Sequence, residues 1–180
     1  ENAKKGIENS LRLLGVDYID LYLLHQPYGD YLGAWKALEE AYEEGKLKSI
    51  GISNITVNLW NQFKDGMKVM PAVNQVEFNP FVQQRELRKV MDENHILLEA
   101  WYPLGHGNKE LLENPVICEL ADKYHKNAGQ IILRWIYQEG VISLPKSTNP
   151  ERMKGNIDIF DFKLNAQEME KMRALDTGKP

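Results

Sequence analysis

Lys146, Ser147 and Arg152 stand close together in the run Leu144-Pro145-Lys146-Ser147-Thr148-Asn149-Pro150-Glu151-Arg152. Two cations and a hydroxyl thus fall just before and within the first turn of a short helix that Pro150 opens. Such a combination grips an anion: arginine offers a forked, charge-assisted pair, lysine a point charge, and the helix N-terminus its positive end. By itself Lys146 reads as an exposed cation on a surface loop. Four further runs turn polar after an apolar stretch, at Leu24-His25-Gln26-Pro27, Ile52-Ser53-Asn54, Val73-Asn74-Gln75-Val76-Glu77-Phe78-Asn79-Pro80 and Glu99-Ala100-Trp101-Tyr102-Pro103-Leu104-Gly105. Taken singly these are strand-end turns, a satisfied polar histidine and a core aromatic. His95, His106 and His125 have no partner at metal-ligand spacing and read as structural or exposed, and Cys118 as a buried, inert thiol.

The elements that must position these residues alternate in type. Ile7, Leu11 and Leu14 mark an amphipathic helix with no Ser, Thr or Asp cap close before it. Strands are expected at Tyr18 to Leu24, Lys48 to Ser53, Ala72 to Phe78, Ile96 to Trp101 and Val141 to Leu144. Between and after them come helices near Gly33 to Glu44 (Trp35, Leu38, Ala41 and Tyr42 inward), after Thr56, at Gln83 to Glu93 (Leu87, Val90 and Met91 inward), Val116 to His125, Ala128 to Gln138, Pro150 to Asn156 and Ala166 to Leu175. Alternation of this kind signals βα units, and Ile19-Asp20-Leu21-Tyr22-Leu23-Leu24, apolar on both faces, belongs in a buried parallel sheet. Tyr18 and Tyr22 are expected to be buried with it. No linker or charge block divides the chain, so one domain over residues 1–180 is expected.

Composition narrows the partners. The 180 residues are 43% hydrophobic and 27% charged, enough for one sizeable core. A net charge of −4 offers no basic field for nucleic acid or an anionic membrane. A single cysteine fits a reducing, cytoplasmic setting, and neither a spanning segment nor a signal pattern is visible.

In this order and spacing the motifs LLHQP at 23–27, IGISN at 50–54, AVNQVEFNP at 72–80 and LPKSTNPERMKGN at 144–156 resemble the aldo-keto reductase family, in particular bacterial 2,5-diketo-gluconate reductase-like members, from about Glu8 onward. The resemblance implies a (β/α)8 TIM barrel that reduces aldehydes and ketones with NADPH. It implies that Lys146, Ser147 and Arg152 hold the adenosine 2′-phosphate, that Thr148 beside them binds the cofactor and that Asn156 contacts adenine, with Gly155 where many members carry an acidic adenine contact. Trp101 matches the aromatic on which nicotinamide stacks, and Ser53, Asn54 and Gln75 the residues that hold its carboxamide. Leu104 and Gly105 match the loop over the pyrophosphate, with Tyr102 replacing the usual Ser. His25 matches the histidine over the substrate carbonyl.

The family's Asp, Tyr and Lys, which deliver and tune the proton, lie upstream of that histidine, and none has a match here. Five strands also fall short of the eight of a closed barrel. The expectation is therefore a partial barrel without its first three βα units, inactive alone. The alternative is a non-catalytic, nucleotide-binding half-barrel that self-associates or pairs with a second chain. Broad or small-carbonyl specificity is expected of the complete protein.

Overall fold

Helix α1, Asn2–Leu14, buries Ile7 and Leu11 one turn apart and closes on Gly15 at φ 67. Leu14, the last residue before that turn, is exposed, so the apolar stripe is shorter than expected. The chain then runs through β1 (Tyr22–Leu24), α2 (Tyr31–Glu43), β2 (Ile50–Ser53), α3 (Val57–Phe63), β3 (Val73–Glu77), α4 (Arg85–Glu93), β4 (Leu97–Trp101), α5 (Lys109–Leu112), α6 (Pro115–Tyr124), α7 (Ala128–Gln138), β5 (Ile142–Ser143), α8 (Pro150–Ile157) and α9 (Ala166–Arg173). The computed structural model describes residues 1–178. Its α/β alternation is the one the sequence implies, and its strand pairs are parallel. No helix among the described residues is long and apolar enough to cross a membrane.

Two compact units divide the chain, Glu1–Val76 with Glu86–Leu97, and Glu77–Arg85 with the chain from Leu98 onward. In the first, β2 pairs with both β1 and β3, in the register Leu24↔Ile52 and Ile52↔Asn74. Its core is Trp35, Ile50, Ile52, Trp60, Phe63 and Met91, with the Trp35 and Phe63 rings edge to face at 5.6 Å. Gly51 is dictated by that packing: a Cβ there would lie 2.5 Å from Leu23 Cδ2 and 2.6 Å from Val73 Cγ2. Glu39, buried in α2, accepts from the Trp35 indole and from the backbone N–H groups of Lys68 and Val69, tying the loop before β3 to the helix.

In the second unit β4 pairs with β5, Glu99↔Ile142 and Ala100↔Ser143. Ile131, Ile132, Leu133, Trp135 and Ile136 of α7 are fully buried, and Trp135 stacks on Phe78 at 5.5 Å.

Further expectations need correction. Tyr18 is 48% exposed and Tyr42 40% exposed rather than buried, and Tyr22 is only half-buried. Tyr18 lies before the ladder begins, where Ile19 makes only an isolated bridge to Leu47. Cys118 is half-buried, its Sγ 3.7 Å from the Leu112 carbonyl oxygen.

Candidate functional site

In the first unit the register fixes the polar strand ends. Leu24, Ile52 and Asn74 are partners across the ladder, Ser53 pairs with Gln75 in the next row, and His25 follows directly on Leu24 where the β1–β2 pairing ends. His25 is exposed one residue beyond β1. Ser53 is 1% exposed and its hydroxyl donates to the Gln75 carbonyl oxygen at 2.9 Å, so its side chain is spent on the backbone. Asn54 has φ 56, a left-handed conformation that asparagine tolerates, and its N–H also bonds the Gln75 carbonyl at 2.9 Å. Asn74, one residue before Gln75, shapes this turn. Fully buried, it donates from Nδ2 to the Ile55 carbonyl at 2.8 Å and accepts from the Ile55 N–H at 3.4 Å, fixing the residue after Asn54. An amide inside a buried strand needs partners for both ends, a requirement that the sequence states without saying where the partners lie.

The second unit contains a cavity of about 790 Å³. Tyr102, Leu104, His106 and Gly107 line it from the loop after β4, Asn127, Ala128 and Gly129 from the start of α7, and Leu144, Lys146, Ser147, Arg152 and Asn156 from the segment around α8. Of the residues singled out in the sequence, Leu104, Lys146, Ser147, Arg152 and Asn156 thus share one wall-to-wall space. Thr148, Gly105 and Trp101 do not line it. Thr148 is exposed, Gly105 is buried, and Trp101 is half-buried with its ring edge to face on Tyr102 at 5.4 Å. His25, Ser53, Asn54 and Gln75 belong to the first unit.

Local rules explain the walls. The loop after β4 turns sharply, with Tyr102 at φ 64, Gly105 at φ 56, His106 at φ 50 and Gly107 at φ 82. Gly105 has a second reason to lack a side chain, since a Cβ would meet Asn108 Cβ at 3.1 Å and Leu111 Cδ2 at 3.2 Å. Tyr102 and His106 face each other at 4.0 Å between ring centres. His95 and His125 also sit in the left-handed region, at φ 58 and φ 55, each exposed at a helix end, which accounts for both as turn residues. Helix α8 begins with Asn149 as cap, its Oδ1 accepting from the Arg152 N–H at 3.1 Å, and Pro150 in the first turn. Ser147 Oγ accepts from the Asn149 N–H at 3.1 Å and so folds the preceding loop.

The electrostatics follow from the lining. Lys146 and Arg152 enter no ion pair and their side chains donate to no partner among the described residues, and no Asp or Glu lines the cavity. Two cations without a counter-charge, beside a helix start, favour an anionic guest. No group of acidic, histidine or cysteine side chains able to hold a metal occurs among the described residues.

The sequence pattern of the Aldo/keto reductase family matches residues 1–177. The chain belongs to this family. A glyoxal reductase of Bacillus subtilis is 44% identical over 177 residues, which are 98% of this chain and 63% of that protein. Among solved structures, MGS-M4, an aldo-keto reductase from a deep-sea metagenome library, matches with TM-score 0.95 and 40% identity over 99% of this chain and 67% of its own. A Gox0644 mutant in complex with NADPH matches with TM-score 0.93 and 38% identity over 98% of this chain and 65% of its own. The chain spans less than two thirds of the length of the first curated relatives, at 62%, 63% and 64%. Aldo/keto reductases similar to this chain are thus solved with NADPH or NADP bound.

Proposed function

We propose that the protein carrying this chain is an NADPH-dependent carbonyl reductase, and that the cavity of the second unit holds the 2′-phosphorylated adenosine end of the cofactor. The observation that carries the reading is the pair of partnerless cations, Lys146 and Arg152, sharing one cavity with Ser147 and Asn156. In this reading Trp101 carries the nicotinamide ring, Asn54 and Gln75 hold its carboxamide, with Ser53 bracing that turn, and Leu104 and Gly105 cover the pyrophosphate. Thr148 is the weakest of the set, since it stands outside the cavity lining. The bound cofactor supplies hydride. His25 donates to or orients the carbonyl oxygen.

The substrate class is a small aldehyde or dicarbonyl, a reading supported by the likeness to a glyoxal reductase. The free thiol of Cys118 suits a cytoplasmic setting. No position of the 180 residues matches the family's Asp, Tyr or Lys, so proton delivery needs groups that these residues do not supply. The fold is then a partial (β/α)8 barrel. Tested by themselves, the 180 residues give no NADPH-dependent loss of a simple aldehyde, and steady turnover above the no-enzyme rate overturns this part of the proposal.

Binding is tested separately. Replacing both cations, Lys146→Met with Arg152→Gln, weakens NADPH by about 10–100-fold, the equivalent of one or two charge-assisted hydrogen bonds, and leaves NADH within about twofold. Equal losses for the two cofactors in a fluorescence titration are inconsistent with a 2′-phosphate site. A second reading, a nucleotide-binding half-barrel that assembles with another chain, is favoured by one observation: Tyr137, Met153, Ile157 and Phe160 of the second unit are apolar and exposed.

A further inference from the structure

The backbone of Trp101, at the end of β4, is fixed by the sheet: the Phe78 N–H bonds its carbonyl oxygen at 3.2 Å, and the Leu144 N–H bonds that of Ala100 at 3.1 Å. Its indole is half-buried, whereas Trp35, Trp60 and Trp135 are at most 1% exposed. Successive residues of a strand point to opposite faces, so an extended Tyr102 would carry its ring away from Trp101. Instead Tyr102 has φ 64, and its ring meets the indole edge to face, with centroids 5.4 Å apart and planes at 72°.

That backbone conformation is costly. A bulky residue at positive φ is an outlier, and Pro103 presses the residue before it toward extended backbone. Glycine or asparagine would make the same turn, in which the Tyr102 carbonyl accepts the Gly105 N–H at 3.0 Å, with less strain. His106, itself at φ 50, sets its ring 4.0 Å from that of Tyr102. Two residues in strained backbone thus put three rings in a row, of which Tyr102 and His106 line the cavity and Trp101 does not. The turn alone does not call for an aromatic at position 102. The contact with Trp101 does.

We infer that Tyr102 is a positioning residue: it fixes the tilt of the Trp101 indole, and His106 braces Tyr102 in turn. The inference rests on the reading that the nicotinamide ring lies on Trp101. An indole free to turn about its side-chain bonds would present varying faces, while one held by Tyr102 presents a single face, so the cost of orienting the ring is met before the cofactor arrives.

Acrylamide quenching of tryptophan emission reads the positioning without cofactor, because Trp101 is the one indole of the four that is more than 1% exposed. Tyr102→Asn keeps a residue that tolerates left-handed backbone and removes the ring. It raises the quenching constant, since an aromatic pair favours the held orientation by a factor of about 2–10. Tyr102→Phe restores the unsubstituted value, and His106→Asn moves it in the same direction as Tyr102→Asn. In titrations Tyr102→Asn weakens NADPH by about 2–10-fold, but adenosine 2′,5′-bisphosphate, which has no nicotinamide, by less than about twofold. On a Trp101→Leu background the same substitution no longer weakens NADPH. Quenching that neither asparagine substitution moves, equal losses for the two ligands, or a loss that persists without Trp101 overturns the inference. Trp101→Leu that binds NADPH as tightly as the unsubstituted protein overturns instead the nicotinamide reading beneath it, on which the quenching measurement does not depend.

Discussion

Gly51 and Asn74 show how tightly single residues hold the strand ends that carry Ser53, Asn54 and Gln75. Gly51 sits in the middle strand of three, and any side chain there enters space already filled by Leu23 and Val73. Its φ is ordinary, so the requirement is steric rather than conformational. Gly51→Ala is expected to cost about 1–3 kcal/mol, as overpacking of a filled core does, read as a lower urea midpoint with an unchanged slope. A midpoint equal to that of the unsubstituted protein removes this account of the glycine. At this scale the sequence was legible where a motif marked it: Asn54 and Gln75 stand where strand-end chemistry was expected. Asn74 was not, because a buried amide that braces a turn and a neighbouring side chain looks, in one dimension, the same as one that bonds a ligand.

Between elements, the closing helix α9 is fastened by one carboxylate. Glu168, 5% exposed, accepts from Lys123 at 2.5 Å and from the Tyr124 hydroxyl at 2.6 Å, both on α6, and from the Asn165 N–H at 2.7 Å in its own capping box. Burial works to raise the Glu168 carboxyl, but the bonds from Lys123, Tyr124 and the Asn165 backbone together hold it below the ordinary value. Burial and the Glu168 charge push the Tyr124 hydroxyl up to about 12, so it remains a donor. A lowered folded value means the stabilisation is complete above the unfolded carboxylate value of about 4.3 and fades as pH falls through the folded one. Glu168→Gln preserves the capping box and removes the charge, so it is expected to cost about 1–3 kcal/mol at pH 7 and to flatten the acid limb of the stability profile below about pH 4. Denaturant melts from pH 7 to pH 3 check it; parallel profiles for the two proteins rule out the linkage. Element types were legible from periodicity, while strand lengths were not. Tyr18 to Leu24 shrank to Tyr22–Leu24 and Val141 to Leu144 to Ile142–Ser143, because a ladder needs a neighbour in register and β propensity alone does not supply one.

For the molecule as a whole, no linker marks the division into two units. The chain leaves the first after Val76 and returns at Glu86, a partition made by packing, to which composition is blind. What the sequence also hides is which apolar side chains remain uncovered. In the second unit Ile157 is 71% exposed, Phe160 59%, Met153 56%, Tyr137 54% and Ile142 40%. All five line one open groove beside β5, and among the described residues β5 pairs only with β4. An uncovered apolar groove next to an unpaired strand edge is a template for association. Each side chain that becomes covered contributes about 1.5–3 kcal/mol before the costs of association, enough for several together to drive assembly. The 180 residues alone are therefore expected to self-associate at micromolar concentration, and Ile157→Lys with Phe160→Ser to return them toward monomer without lowering the thermal midpoint, since neither side chain is buried. Light scattering across a dilution series decides the matter: a monomer at every concentration, with no binding of an apolar dye, removes the groove as a surface for association.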